Sequence, residues 1–197
     1  FPALARERVL YVGEAVALVV AETDVIARDA AELVEVKYEP LAANTELDRA
    51  ADDGTPLLWR QCPANEVFYA TQGDPQSTDT EFSNAAHIVH QRLINQRVSA
   101  NPLEARGYIG CFSDDKYELY GGVHSPHLFR TQLTRDVFHI EEDRLRIVTG
   151  DVGGSFGMRG ALFVEIVLVL WAAQRVGRPV KWAASRTESF VSDHQGR

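Results

Sequence analysis

Between two apolar runs, Leu145–Val148 and Leu162–Ala173, the chain carries Asp151-Val152-Gly153-Gly154-Ser155-Phe156-Gly157-Met158. Three glycines and one large aromatic suit a loop that turns with positive φ and comes close to something bulky. Peptide N–H groups at the start of a following helix would then serve an anionic or oxo-bearing ligand. The bland alternative is a tight strand-to-helix turn with no ligand. Two phosphate-binding loops do not fit. The Rossmann spacing G-x-G-x-x-G fails, since the glycines fall at 153, 154 and 157 and the expected acidic residue is missing. The P-loop fails because no Gly-Lys-Ser/Thr follows. Phe156 is either a ligand-facing ring or a core plug under the loop. Arg159 could hold a phosphate or lie in solvent.

Other residues able to do chemistry are scattered. Asn101-Pro102-Leu103-Glu104-Ala105-Arg106-Gly107 joins a proline turn to opposite charges two apart. Alone, Glu104 and Arg106 read as a surface or loop-bracing pair of small energetic value. His124-Ser125-Pro126-His127 sets two imidazoles between a strand and a helix, but no third ligand is placed by spacing, so cap and turn roles suit them better than a metal. His194 has no identifiable partner. No Ser-His-Asp or Cys-His arrangement is present. Cys62 and Cys111 have no Cys-x-x-Cys spacing and read as reduced thiols of a cytosolic protein.

The elements that must position these residues can be read from periodicity. Arg8–Ala21 is continuously apolar and β-branched and predicts one strand or two, bent at Gly13. Thr23 or Asp24 can cap a helix whose stripe is Ile26, Ala27, Ala30, Ala31, Leu33 and Val34. Val34–Tyr38 alternates as a strand up to Pro40, which completes a β-α-β unit. Residues 44–79 are irregular, and a module boundary is expected near 73–80. A short helix over Asp79–Ala86 and a strand over His87–Val98 come next. The second module reads β-α-β-α-β: strand Tyr117–Tyr120, helix Pro126–Phe138, strand Arg144–Val148, helix Ala161–Val176 stopped by Gly177 and Pro179, strand Val180–Ala183. The 197 residues therefore divide into 1–75 and 76–197. A net charge of −8 argues against a nucleic-acid or anionic-membrane surface. No apolar run approaches the roughly 20 residues of a membrane span.

Five segments, in order, resemble the large molybdenum-binding subunit of the xanthine dehydrogenase, aldehyde oxidase and aerobic carbon monoxide dehydrogenase family. Residues 8–21 and 27–41 are similar to its α/β hammerhead domain. Ala100–Gly107 is similar to the motif opening its molybdenum domain, and Asp151–Met158 to its glycine-rich cofactor loop. Gly177–Trp182 and Arg186-Thr187-Glu188 match the family's segment C-terminal to that loop. The implied fold is α+β: the remainder of a hammerhead domain, then the first β-α-β-α-β part of a molybdopterin-binding domain.

The resemblance implies a cofactor, molybdopterin cytosine dinucleotide with molybdenum, which carries a labile oxygen and a sulfur. It implies oxidation of an aldehyde, an N-heteroaromatic compound or CO, with oxygen from water. Electrons would pass to a [2Fe-2S] small subunit and a FAD medium subunit. Phe156 and Gly157 would lie beside the metal, and Gly153 and Gly154 would let the loop approach. His124 stands where the family has a Gln directed at a molybdenum oxo group, and a histidine differs in reach and protonation. Ser155 replaces a common Gly, and Arg159 a common Lys. The family's catalytic Glu lies far downstream in a longer subunit, and no glutamate of this chain sits in that motif. The expectation is a fragment, inactive alone, cytoplasmic, without direct metal ligands, and self-associating through uncovered apolar faces. The alternative from another class is a non-catalytic binding or assembly module of the same fold.

Overall fold

The structure is a computed structural model that describes residues 2–194. Two compact units are present: Val36–Ile94 forms one, and the described residues on either side of it form the other.

The larger unit is organised by a four-stranded sheet of order β3-β2-β1-β4. Strand β1 is Gly107–Ser113 and β2 is Lys116–Gly121. They form an antiparallel hairpin in register Tyr108↔Gly121 through Ser113↔Lys116. Asp114 and Asp115 make the turn with φ of 49° and 64°, the two positive φ values that a two-residue turn needs to match the strand twist. Helix α3, Pro126–Gln132, continues as a π turn over Leu133–Phe138 and returns the chain to β3, Leu145–Val148. β3 lies parallel to β2. Helix α4, Val164–Val176, leads to β4, Val180–Ala183, antiparallel to β1. Helix α5, Arg186–Ser192, comes next.

The core lies between α4 and the sheet. Ile166, Val169, Leu170 and Ala173 pack with Tyr108, Leu119, Phe129, Leu133 and Leu145, all buried. Gly110 permits the close approach, since a Cβ there would sit 2.5 Å from the Val169 carbonyl oxygen. α4 ends at Gly177, whose φ of 65° lets its N–H cap Ala173. Trp171 stays on the open side, with the Arg175 guanidinium 5.4 Å from its ring. No helix among the described residues is long and apolar enough to cross a membrane.

The β-α-β-α-β order expected for the second module is realised as β2-α3-β3-α4-β4. The expected β-α-β unit near the start is not. Its helix forms as α1, Asp24–Glu32, with Thr23 Oγ1 accepting from the Ile26 amide at 3.2 Å. The apolar flanks over 8–21 and 34–38 join no ladder, and over 87–98 only Val98 makes a bridge. β-branched composition favours extended backbone, but a strand exists only where a neighbour supplies ladder hydrogen bonds.

The smaller unit holds helix α2, Pro75–Asn84, which starts four residues before the expected Asp79. Asp74 caps it through the Ser77 amide at 3.1 Å, and Pro75 takes the first turn. Asn65 ties this unit's loops. Its amide group donates to the carbonyls of Ala50 and Pro56, and its Oδ1 accepts from the Leu58 N–H.

Candidate functional site

Sheet topology gathers the site. β2 and β3 run parallel and end together, Tyr120 opposite Val148. β1 enters and β4 leaves at that same end, because Gly107 lies opposite Ala183 and Tyr108 opposite Gly121. Four connecting segments therefore converge there: 101–106, 122–124, 149–157 and 184–186. The carboxyl ends of parallel strands are where open α/β sheets place ligands.

One buried arginine joins three of the four segments. Arg159 has a side chain with no exposed surface. Its Nε donates to the Gly154 carbonyl at 2.9 Å, Nη1 to Gly122 at 3.1 Å and Nη2 to Glu104 at 2.8 Å. Nη2 also lies 3.3 Å from the Glu104 carboxylate. The same carboxylate oxygen accepts the Gly153 N–H at 2.5 Å, and the Gly153 carbonyl accepts the Glu104 N–H at 3.2 Å. His124 donates its backbone N–H to the Arg159 carbonyl at 3.2 Å. Thr149 accepts the Val123 N–H at 3.4 Å.

The glycines are where this packing requires them. A Cβ on Gly153 would lie 2.5 Å from the Glu104 Cβ, and one on Gly122 2.8 Å from Arg159 Nη1. Gly154 and Gly157 have φ of 104° and 89°. Between these fixed points the loop is open. Phe156 is 73% exposed with φ of 51°, an unusual backbone for a bulky residue. Gly157 is exposed and has no atom near its Cβ position. Among the described residues, the amides of 154–157 donate to no protein acceptor, whereas Met158 turns back onto the Ser155 carbonyl at 3.0 Å.

On the far side of 101–106, two more arginines hold the chain. Arg186 opens α5 and donates to the carbonyls of Pro102 and Leu103 and to Asn101 Oδ1 at 2.6–3.0 Å. Arg106 is fully buried. It meets Asp193 at 2.6 Å, Glu165 at 2.8 Å and Ser192 Oγ at 2.6 Å, and lies 3.9 Å from the Phe163 ring centroid. α5 thus grips the segment at both ends. His194 packs edge-on against Phe163. Burial, then the nearby Arg106 and Arg97 charges, hold its imidazole below the usual range.

Arg159 ties the His124 backbone to the loop that carries Gly153, Gly154, Phe156 and Gly157. Several readings of single residues are corrected. Phe156 is no core plug. Arg159 is neither a phosphate hook nor solvated, because carbonyls and a carboxylate take up its donors. Glu104 and Arg106 are not a pair, since each faces a different buried partner. The loop amides do not belong to a helix start. A 3-10 turn, Met158–Gly160, intervenes, and α4 begins only at Val164. His127 stands exposed in the first turn of α3, and among the described residues no group of three His, Cys, Asp or Glu side chains could hold a metal. The true partners of Arg106, Glu165 and Asp193, escaped the sequence reading, because they lie 59 and 87 positions away from it. α5 did leave a signal. Ser185-x-x-Glu188 is a capping-box pattern, and both reciprocal bonds form.

Comparison with known proteins agrees with this architecture. The family model for a molybdopterin cofactor-binding domain matches residues 59–197. The aldehyde oxidase and xanthine dehydrogenase a/b hammerhead domain matches residues 2–42. The 6-hydroxypseudooxynicotine dehydrogenase complex subunit gamma of Paenarthrobacter nicotinovorans is 31% identical over 100% of this chain and 24% of its own length. The carbon monoxide dehydrogenase large chain of Hydrogenophaga pseudoflava is 32% identical over 95% of this chain and 25% of its own. The crystal structure of a Cu,Mo-CO dehydrogenase in its carbon monoxide reduced state superposes with a TM-score of 0.92 at 29% identity, covering 99% of this chain and 26% of that one. This chain spans about a quarter of the length of these relatives. It belongs to the molybdopterin cofactor-binding domain family.

Proposed function

We propose that this chain is the part of a molybdenum hydroxylase large subunit that forms one wall of the cofactor site. The end of the hammerhead domain occupies 1–75 and the first part of the molybdenum domain 76–197. The observation that supports this most is the braced loop. Its ends are held by Glu104 and Arg159, while the amides of 154–157 are left without protein acceptors. That donor set suits a group rich in oxygen acceptors, so the residues present fit the cofactor. Gly153, Gly154, Phe156 and Gly157 would hold one side of it, and His124 would stand next to it. When bound, molybdenum supplies two-electron oxidation of a small molecule with oxygen taken from water.

The chain's own contribution is placement. Backbone dipoles fixed by a buried arginine need little reorganisation when charge develops beside them. Phe156, held with positive φ and exposed, would present its aromatic face to the bound group. The cofactor form we infer is the cytosine dinucleotide, the partners a [2Fe-2S] and a FAD subunit, and the compartment the cytoplasm. The substrate class is an aldehyde, an N-heteroaromatic compound or CO, in keeping with relatives named for a nicotine derivative and for CO. The catalytic Glu is not assigned to any glutamate of this chain. We therefore expect the isolated chain neither to turn over substrate nor to hold the cofactor firmly.

Molybdenum analysis with a dye-linked oxidation assay tests this on two samples. The polypeptide that carries this chain, purified with its partners, should hold about one molybdenum and oxidise a member of the substrate class, whereas the isolated chain should do neither. A partnered protein without molybdenum would contradict the enzyme reading and favour an assembly module. An isolated chain with stoichiometric metal and turnover would contradict the division of labour.

A further inference from the structure

We infer that Glu104 and Arg159 act as one positioning couple for the cofactor loop, and that neither touches the cofactor. This rests on the cofactor reading above. Burial sets the first constraint. An arginine without exposed surface must satisfy its donors inside the protein, and Arg159 does so on three carbonyls that belong to three segments: Gly154, Gly122 and Glu104. Glu104 closes the arrangement with one carboxylate oxygen, Oε2, which meets both Arg159 Nη2 and the Gly153 N–H. The positive φ values at 154, 156 and 157 begin one residue beyond that contact. The loop's open span therefore hangs between a carboxylate at its entry and a guanidinium just after its exit.

The planar fork of the guanidinium is what the arrangement uses. A lysine, common at this position in the family the chain resembles, keeps the charge but gathers its donors on one nitrogen, so Arg159→Lys is expected to loosen the three contacts only in part. The fork meets the Gly122 carbonyl and the Arg159 backbone carbonyl accepts the His124 N–H, so the one residue fixes 122–124 against the loop by side chain and main chain. Loss of the couple should therefore move Phe156 and Gly157 relative to His124 without removing any of them. Arg186 reinforces the couple from behind, by holding the carbonyls of Pro102 and Leu103. Its hydrogen bonds among the described residues go to 101–103 and not to the loop, so the positioning falls to Glu104 and Arg159.

The test uses the partnered, molybdenum-containing protein and four variants: Arg159→Lys, Arg159→Met, Glu104→Gln and Glu104→Ala. Two readouts go beyond turnover: amide exchange across 151–158, and the Mo(V) electron paramagnetic resonance spectrum of the loaded fraction. Glu104→Ala and Arg159→Met should exchange at least tenfold faster at Gly153. Glu104→Gln and Arg159→Lys should exchange faster by a smaller factor and give a shifted Mo(V) signal, with kcat lowered about tenfold and KM held within twofold. Glu104→Gln keeps an acceptor for Gly153 and keeps the inference testable if the arginine variants do not fold. Conservative variants with the parent's exchange and parent's Mo(V) signal would overturn the inference. Faster exchange with an unchanged signal would also overturn it, by leaving the couple a purely structural role. A parent protein without molybdenum would instead overturn the cofactor reading, and the two failures are thereby distinct.

Discussion

Phe156 and Gly157 define the site at the scale of single residues. A bulky residue with φ of 51° carries strain on the order of 1 kcal/mol, and the exposed ring recovers little of it by burial. Asparagine tolerates that backbone better. Phe156→Asn should therefore unfold in urea with a free energy equal to or above the parent's, by up to about 1 kcal/mol, while the partnered protein loses molybdenum. A drop of several kcal/mol would mean that the ring is structural. Gly153→Ala is the opposite case. Its Cβ would collide with Glu104 at 2.5 Å, so this small change should destabilise by about 1–3 kcal/mol. The glycine pattern was legible in the sequence because backbone demands write themselves as Gly. The role of Arg159 was not legible, because an arginine has the same letter in solvent and under three carbonyls.

At the scale of elements, α5 and the Arg106 cluster hold the segment 101–106 against the sheet. Breaking a buried ion pair by removing one partner costs about 3–5 kcal/mol. Arg106→Met should therefore lower stability by that order in denaturant titrations, since Asp193 and Glu165 would lose their cation. His194 gives a pH handle on the same cluster. Its folded-state pKa is lowered from 6.5, so the unfolded chain binds the proton more readily. Stability from this group is complete above pH 6.5 and is lost as pH falls below it. Thermal unfolding from pH 8 down to 5 should show a decline beginning near 6.5 that is shallower in His194→Gln. An unchanged slope would place the titration elsewhere. Periodicity found β2, α3, β3, α4 and β4, each a segment with strong apolar patterning. It missed β1, whose Gly107 and Gly110 interrupt the apolar alternation and whose close packing under α4 requires the second glycine. It invented strands over 8–21 and 34–38, where apolar character is real but no partner strand is in place among the described residues.

At the scale of the whole molecule, the exposed apolar side chains stand out. Phe68, Tyr69, Val89 and Leu93 are each at least 76% exposed in the smaller unit, and Leu103 is 92% exposed beside the site. Exposed large apolar side chains favour association. The isolated chain should self-associate, and sedimentation velocity should show a weight-average mass that rises with concentration. A monomer across the full range would contradict that.

On the reading proposed for this chain, the cofactor sits against residues 153–157 with His124 alongside. Anomalous diffraction at the molybdenum edge, from crystals of the loaded and partnered protein, tests it most directly. One molybdenum peak is expected against the backbone of Phe156 and Gly157, on the His124 side. A peak remote from that loop would contradict it.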